Sequence, residues 1–76
     1  MDLSFNKLTA VPPALGQLSS LTELDLSNNW ELTEIPPELG RLTSLTELDL
    51  TDNDLIVIPA ELGQLSSLKE LELYEN

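Results

Sequence analysis

The stretch LTELDLSNN at residues 21–29 decides how the rest of the chain is read. Leu24 and Leu26 alternate with Glu23, Asp25 and Ser27, which is the period of a strand that buries one face. The phrase returns as LTELDLTDN at 45–53 and LKELELYEN at 68–76, each time with acids between the leucines. Working outward, Leu3, Leu26, Leu50 and Leu73 form one column at spacings of 23, 24 and 23 residues. Met1, Leu24, Leu48 and Leu71 form the column two places earlier. Leu21, Leu45 and Leu68 open the phrase, and Asn6, Asn29, Asn53 and Asn76 close it. Further along come Leu8, Leu32 and Leu55, then Val11, Ile35 and Ile58, each of the last three followed by proline. PPALGQL, PPELGRL and PAELGQL complete the units, and the only break in register is one extra residue after Asn29.

The chain has 76 residues, enough for one small domain. There is no cysteine and no histidine, so neither a disulfide framework nor a thiolate or imidazole metal site is available. No segment has the length and apolarity of a membrane span, and the N-terminal residues lack the charged-then-apolar pattern of a signal peptide. No Asn-x-Ser/Thr acceptor occurs either, and together these features favour a cytoplasmic setting. Fourteen acids face only Lys7, Arg41 and Lys69, for a net charge of −11. Nucleic acid is therefore a poor partner, because phosphate binding needs clustered cations. A basic protein surface or a cation suits such a field better.

The repeated unit resembles the leucine-rich-repeat pattern L-x-x-L-x-L-x-x-N-x-L-x-x-[IV]-P-x-x-L-G-x-L across all 76 residues. Its period is similar to that of the 23-residue cytoplasmic subclass found in Ras-suppressor and scaffold-type proteins. Plant receptor ectodomains share the Leu-Gly-x-Leu ending, but their longer unit has a glycine before Ile-Pro that is missing here. The resemblance implies an α/β solenoid, with short parallel strands on the concave face and short helical or 3-10 turns on the convex face. Elementary physics leads to the same architecture. One strand and one turn cannot bury these leucines, whereas stacked units can. The proline pair of IPPELGRL can begin a short helical turn, and Gly40 can tighten or end it. An asparagine where the chain leaves the strand can satisfy backbone groups that have no strand partner. Residues 1–76 are thus expected to form a single domain of about three repeats with four short strands, the outer ones partial.

Alternation sends the acids to the concave surface. Glu23, Glu47 and Glu70 form one column and Asp2, Asp25, Asp49 and Glu72 the next, with Asp52 and Glu75 just beyond, so nine of the fourteen acids share a face. Strands about 4.8 Å apart make each column a ladder of like charges. Each solvated neighbouring pair costs about 1 kcal/mol or less, and salt reduces this further. A cationic partner would relieve that repulsion. Duplication of one acidic repeat produces the same pattern with no partner at all. Metal capture is disfavoured because calcium sites need a loop that wraps the ion. Catalysis is disfavoured because an exposed sheet does little to separate carboxylate pKa values, and the serines of LSSL at 18–21 and 65–68 have no base.

Departures from the repeat mark a second set of candidates. Trp30 is the inserted residue and the only tryptophan. Ile56 stands where other units have Thr9 and Thr33, and Val57 where they have Ala10 and Glu34. Trp30, Ile56 and Val57 are expected either to form an apolar contact patch on the loop edge or, for Trp30, to cover the insertion. Phe5 and Tyr74 project near the concave surface of the first and last strands, as binding aromatics or as covers. At the termini Met1 enters in mid-strand and Asn76 closes the last one, with no polar capping unit. An excised piece, a deliberately minimal unit and a self-associating unit all account for this.

Two functions follow from the sequence. The first is a non-catalytic protein-binding scaffold without cofactor, metal or membrane contact, receiving a basic or polar protein on Glu23, Asp25, Glu47, Asp49, Asp52, Glu70 and Glu72. Reversing Asp25 and Asp49 to lysine is then expected to remove binding and keep the fold. The second is a self-assembling module, a twofold dimer being the simplest closed form, with Leu71, Leu73 and Tyr74 among the contacts.

Overall fold

The structure, a computed structural model, describes residues 1–76. Strands β1 (Glu23–Asp25), β2 (Glu47–Asp49) and β3 (Glu70–Glu72) alternate with 3-10 turns at Pro13–Gln17, Pro37–Arg41 and Ala60–Gln64. The strands form one parallel sheet in the order β1-β2-β3. Asp2 adds a single parallel bridge to Asp25, so the first of the four expected strands is present as the partial one. Leu24 pairs with Leu48, and Leu48 with Leu71, so the register of the sheet is the register of the repeat.

Each turn begins the same way. Pro12, Pro36 and Pro59 are extended, with φ of −64°, −73° and −67°, and their carbonyls accept from Leu15, Leu39 and Leu62 three residues on, each at 3.1 Å. Pro13 and Pro37 then occupy the first helical position, where a missing N–H costs nothing. Five residues are too few for an α-helical ladder to become established, and the i→i+3 pattern is what fits.

Gly40 neither ends nor reverses its turn, since it lies inside Pro37–Arg41 and no glycine of the chain has positive φ. Its role is close approach. A β-carbon there would stand 3.0 Å from the carbonyl carbon of Glu61, and one on Gly16 would meet Glu38 in the same way. Missing side chains at these two positions let successive convex turns pack backbone to backbone.

Between sheet and turns lies the core. In the middle repeat Leu24, Leu26, Leu32, Ile35, Leu39, Leu42, Leu45, Leu48 and Leu50 are all buried. Full burial of such a side chain contributes about 1.5–3 kcal/mol, so the stability of the chain is concentrated in the repeat that has a neighbour on both sides. Equivalent leucines further out are half-exposed, Leu71 at 42% and Leu73 at 40%.

The asparagine column joins one repeat to the next. Asn29 is fully buried; its Oδ1 accepts from the N–H of Asn6 and Leu8 at 3.1 and 3.0 Å. Its Nδ2 donates to the carbonyls of Leu26 at 2.8 Å and of Leu3 and Ser27 at 3.2 Å. Asn53 repeats the theme, accepting from Asn29 N–H at 2.8 Å and donating to the Leu50 carbonyl at 2.8 Å. One amide thus satisfies backbone groups on two levels of the solenoid at the point where the strand pairing has ended.

Candidate functional site

The sheet register places the concave acids in two straight columns. Glu23, Glu47 and Glu70 are direct neighbours across the strands, as are Asp25, Asp49 and Glu72, and Asp2 extends the second column. With Met1, Leu24 and Leu48 these seven acids line a shallow depression of about 320 Å³. Its floor is strand backbone, since Leu24 and Leu48 turn their side chains into the core, and its walls are carboxylate. No group of three or more acidic side chains is clustered tightly enough to hold a metal ion, and no helix is long and apolar enough to cross a membrane.

The two columns do different physical work. Glu23, Glu47 and Glu70 are exposed to solvent, and no group of the chain donates a hydrogen bond to their carboxylates. The Glu23 carboxylate beside Glu47 holds the Glu47 carboxyl above its ordinary range, with desolvation and the Glu70 and Glu72 charges adding to the effect. Repulsion along the ladder is thus concentrated at its middle rung.

The aspartates are tied to their own strand exits. Asp2 Oδ1 accepts from the Ser4 hydroxyl at 2.5 Å and the Ser4 N–H at 3.0 Å. Asp25 Oδ1 takes the same two bonds from Ser27 at 2.6 and 2.9 Å, and Asp49 accepts the Thr51 N–H at 3.0 Å. The Ser4 bonds hold the Asp2 carboxyl below its ordinary range. Short polar side chains that bond the backbone two residues on make a local turn. Here they bring the chain out of the sheet toward a left-handed residue, namely Phe5, Asn28 and Asp52, with φ of 56° to 59°; Glu75 takes the same conformation, φ 60°, although Glu72 makes no such bond. Solvation alone therefore does not explain the aspartate column. Lysine at Asp25 or Asp49 would remove these bonds as well as reverse a charge, so the glutamates are the cleaner positions to alter. The clue lay in the sequence itself, as the D-x-[ST] spacing at Asp2, Asp25 and Asp49.

Asp52 lies at one of these left-handed positions and is half-buried, at the margin of the concave face rather than on its floor. The structure brings Trp30 together with Phe5 of the preceding repeat, ring centroids 6.5 Å apart and planes at 84°, an edge-to-face pair that the repeat pattern does not announce. Both rings remain open to solvent, Phe5 at 68% and Trp30 at 60%. Ile56 stands beside Thr33, its N–H donating to the Thr33 carbonyl at 2.9 Å, and its side chain is 82% exposed. Val57 and Tyr74 are exposed as well.

Comparison with known proteins agrees with this geometry. The family model described as Leucine rich repeat matches residues 1–55. Among solved structures, a leucine-rich-repeat protein of Leptospira interrogans superposes on 97% of the chain with a TM-score of 0.53 at 27% identity. The chain spans 30% of that protein's length. No curated protein matches the sequence. The chain belongs to the leucine-rich-repeat family. Domains of this family are generally non-enzymatic and mediate protein–protein interaction.

Proposed function

We propose that the chain is a protein-binding module whose acidic concave sheet receives a basic or polar surface of a partner protein. The observation that carries this reading is the uninterrupted Glu23–Glu47–Glu70 ladder in the register of β1, β2 and β3. Those three carboxylates take no part in folding bonds, they repel one another, and the depression they line is open to a partner. A docked guanidinium or ammonium relieves the repulsion, so part of the binding energy is stored in the free protein. Complementary charge also speeds encounter and rejects acidic partners. The repeat spacing supports a place in the 23-residue scaffold subclass, and with it a cytoplasmic setting.

The test separates the face from the overall charge. The immobilised chain is offered a defined mixture of basic and acidic proteins, and retention is compared for two variants that lose equal charge. One is Glu23→Gln, Glu47→Gln, Glu70→Gln; the other is Glu34→Gln, Asp54→Asn, Glu61→Gln, at exposed positions outside the strands. The reading expects basic proteins to be retained by the second variant and lost by the first. Equal loss in both assigns the binding to a diffuse field and rejects the concave face.

A second reading rests on the exposure of Leu71 and Leu73, whose counterparts Leu48 and Leu50 are sealed. Self-association would bury them, with an isologous dimer as the closed form. Sedimentation velocity over a hundredfold concentration range distinguishes the two, because a scaffold keeps its monomer mass and an assembling module does not.

A further inference from the structure

We infer that the Phe5–Trp30 pair, at the margin of the acidic sheet, is a receptor for an arginine side chain of the partner protein. This rests on the proposal that the concave face binds a basic partner, and it specifies where the face is anchored and by which residue.

Folding brings the two rings together but buries neither. Phe5 occupies a left-handed backbone position, φ 56°, where a bulky side chain is strained and where the next repeat has Asn28. It is nevertheless 68% exposed, so burial does not offset the strain. Trp30 is the one residue inserted into the repeat, and it too stays largely in solvent. The insertion does place the two rings edge to face, leaving aromatic surface of both directed to water.

Charge complementarity identifies the occupant. The Phe5 N–H donates to the Ser27 carbonyl at 3.1 Å, and Ser4 and Ser27 are the residues whose hydroxyls hold Asp2 and Asp25. The Phe5 backbone is thereby held at the strand exits where Asp2 and Asp25 are anchored, each bonded within the chain through Oδ1. Glu31 follows Trp30 and is exposed; the cations near them in sequence are Lys7, on the same loop as Phe5, and the Met1 ammonium, which donates to the Glu23 carbonyl at 2.9 Å. An aromatic face attracts a cation, and a carboxylate beside it accepts that cation's N–H groups. Guanidinium suits this combination better than ammonium, since it is planar, stacks on rings and is weakly hydrated.

Trp30 is also the reporter, since its indole is the only one in the chain. The probe is a synthetic peptide of alternating arginine and serine, with a citrulline counterpart that keeps the shape and lacks the charge. Binding is followed by calorimetry and by Trp30 emission. The arginine peptide is expected to change the emission along the calorimetric isotherm, and the citrulline peptide to leave it unchanged. Trp30→Leu is expected to weaken binding about two- to fivefold, the range of an exposed cation–π contact. Phe5→Asn is expected to weaken it similarly while thermal stability is held or raised, because asparagine relieves the left-handed strain. Binding and stability falling together in Phe5→Asn would mean that the ring only supports the fold, and the inference would be lost.

Calorimetric binding that depends on Glu23, Glu47 and Glu70 but leaves Trp30 emission unmoved overturns this inference and leaves the acidic face standing. An absence of calorimetric binding overturns both. Emission that varies with protein concentration in the absence of peptide gives the rings to a second copy of the chain, which also overturns it.

Discussion

Gly40 lies so close to Glu61 that a β-carbon on the glycine would stand 3.0 Å from the Glu61 carbonyl carbon and nearer still to its oxygen. Gly16 stands in the same relation to Glu38, while the corresponding position on Gly63 has nothing within 4 Å. Three glycines at one place in the repeat therefore offer an internal control. Gly16→Ala and Gly40→Ala are each expected to cost about 1–3 kcal/mol, because the obstructing atoms are backbone and cannot rotate away. Gly63→Ala is expected to have the opposite sign, a gain of about 0.4–1 kcal/mol from a less flexible unfolded chain. Urea unfolding of the three variants checks the pattern, and equal effects at all three would contradict the close packing of the convex turns.

Asn29 is the amide whose loss should be felt most. Alanine there strands the N–H groups of Asn6 and Leu8 and the Leu26 carbonyl, so Asn29→Ala is expected to cost about 3 kcal/mol. Asn76 makes similar bonds in an exposed setting, where water can replace them, and Asn76→Ala should cost under about 1 kcal/mol. Chemical denaturation with a common m-value decides between these two outcomes.

Ser27 and Thr51 occupy the same place in successive repeats but use their hydroxyls differently. Ser27 Oγ donates to Asp25 at 2.6 Å, whereas Thr51 Oγ1 is buried with no partner. Ser27→Ala is expected to destabilise by about 1 kcal/mol, and Thr51→Val to be neutral or stabilising, because it removes a buried polar atom without breaking a bond. A lower midpoint in Thr51→Val would show that the hydroxyl has a partner in solution.

The two carboxylates with displaced pKa values set opposite slopes in the pH dependence of stability. Glu47 is raised in the folded chain by Glu23, so the folded state holds its proton more tightly than the unfolded one. Its contribution is present below the ordinary glutamate value of 4.5 and is lost as pH rises through the folded value. Asp2 is lowered by Ser4, so its contribution is present above the ordinary value of 3.8 and is lost as pH falls through the folded value. Acidification from neutrality is therefore expected to raise the melting temperature first and lower it afterwards. Glu47→Gln should flatten the first limb, and added salt at neutral pH should produce part of the same gain by screening the ladder. Circular dichroism melts across the acid range test this, and an unchanged first limb in Glu47→Gln would place the effect elsewhere.

Much of this molecule was decided by the sequence itself, because a solenoid is nearly one-dimensional. Each repeat touches only its neighbours, so the columns of Leu24, Leu48 and Leu71 in the sequence became the register of the sheet, and strand alternation put the glutamates on the concave side. The bridging role of the asparagines was legible for the same reason, since the end of strand pairing leaves backbone groups that only such an amide can satisfy. Contacts between repeats that depend on distance or rotamer were decided by the tertiary structure. The approach of Gly40 to Glu61 fixes why glycine is needed, and it is invisible in a pattern that reads glycine as a turn residue. The D-x-[ST] spacing hints at the division of the acids into a free glutamate column and a bonded aspartate column, but the hydroxyl positions of Ser4 and Ser27 establish it. Phe5 and Trp30 are 25 residues apart and share no column, so only the stacking of one repeat on the next brings their rings into contact.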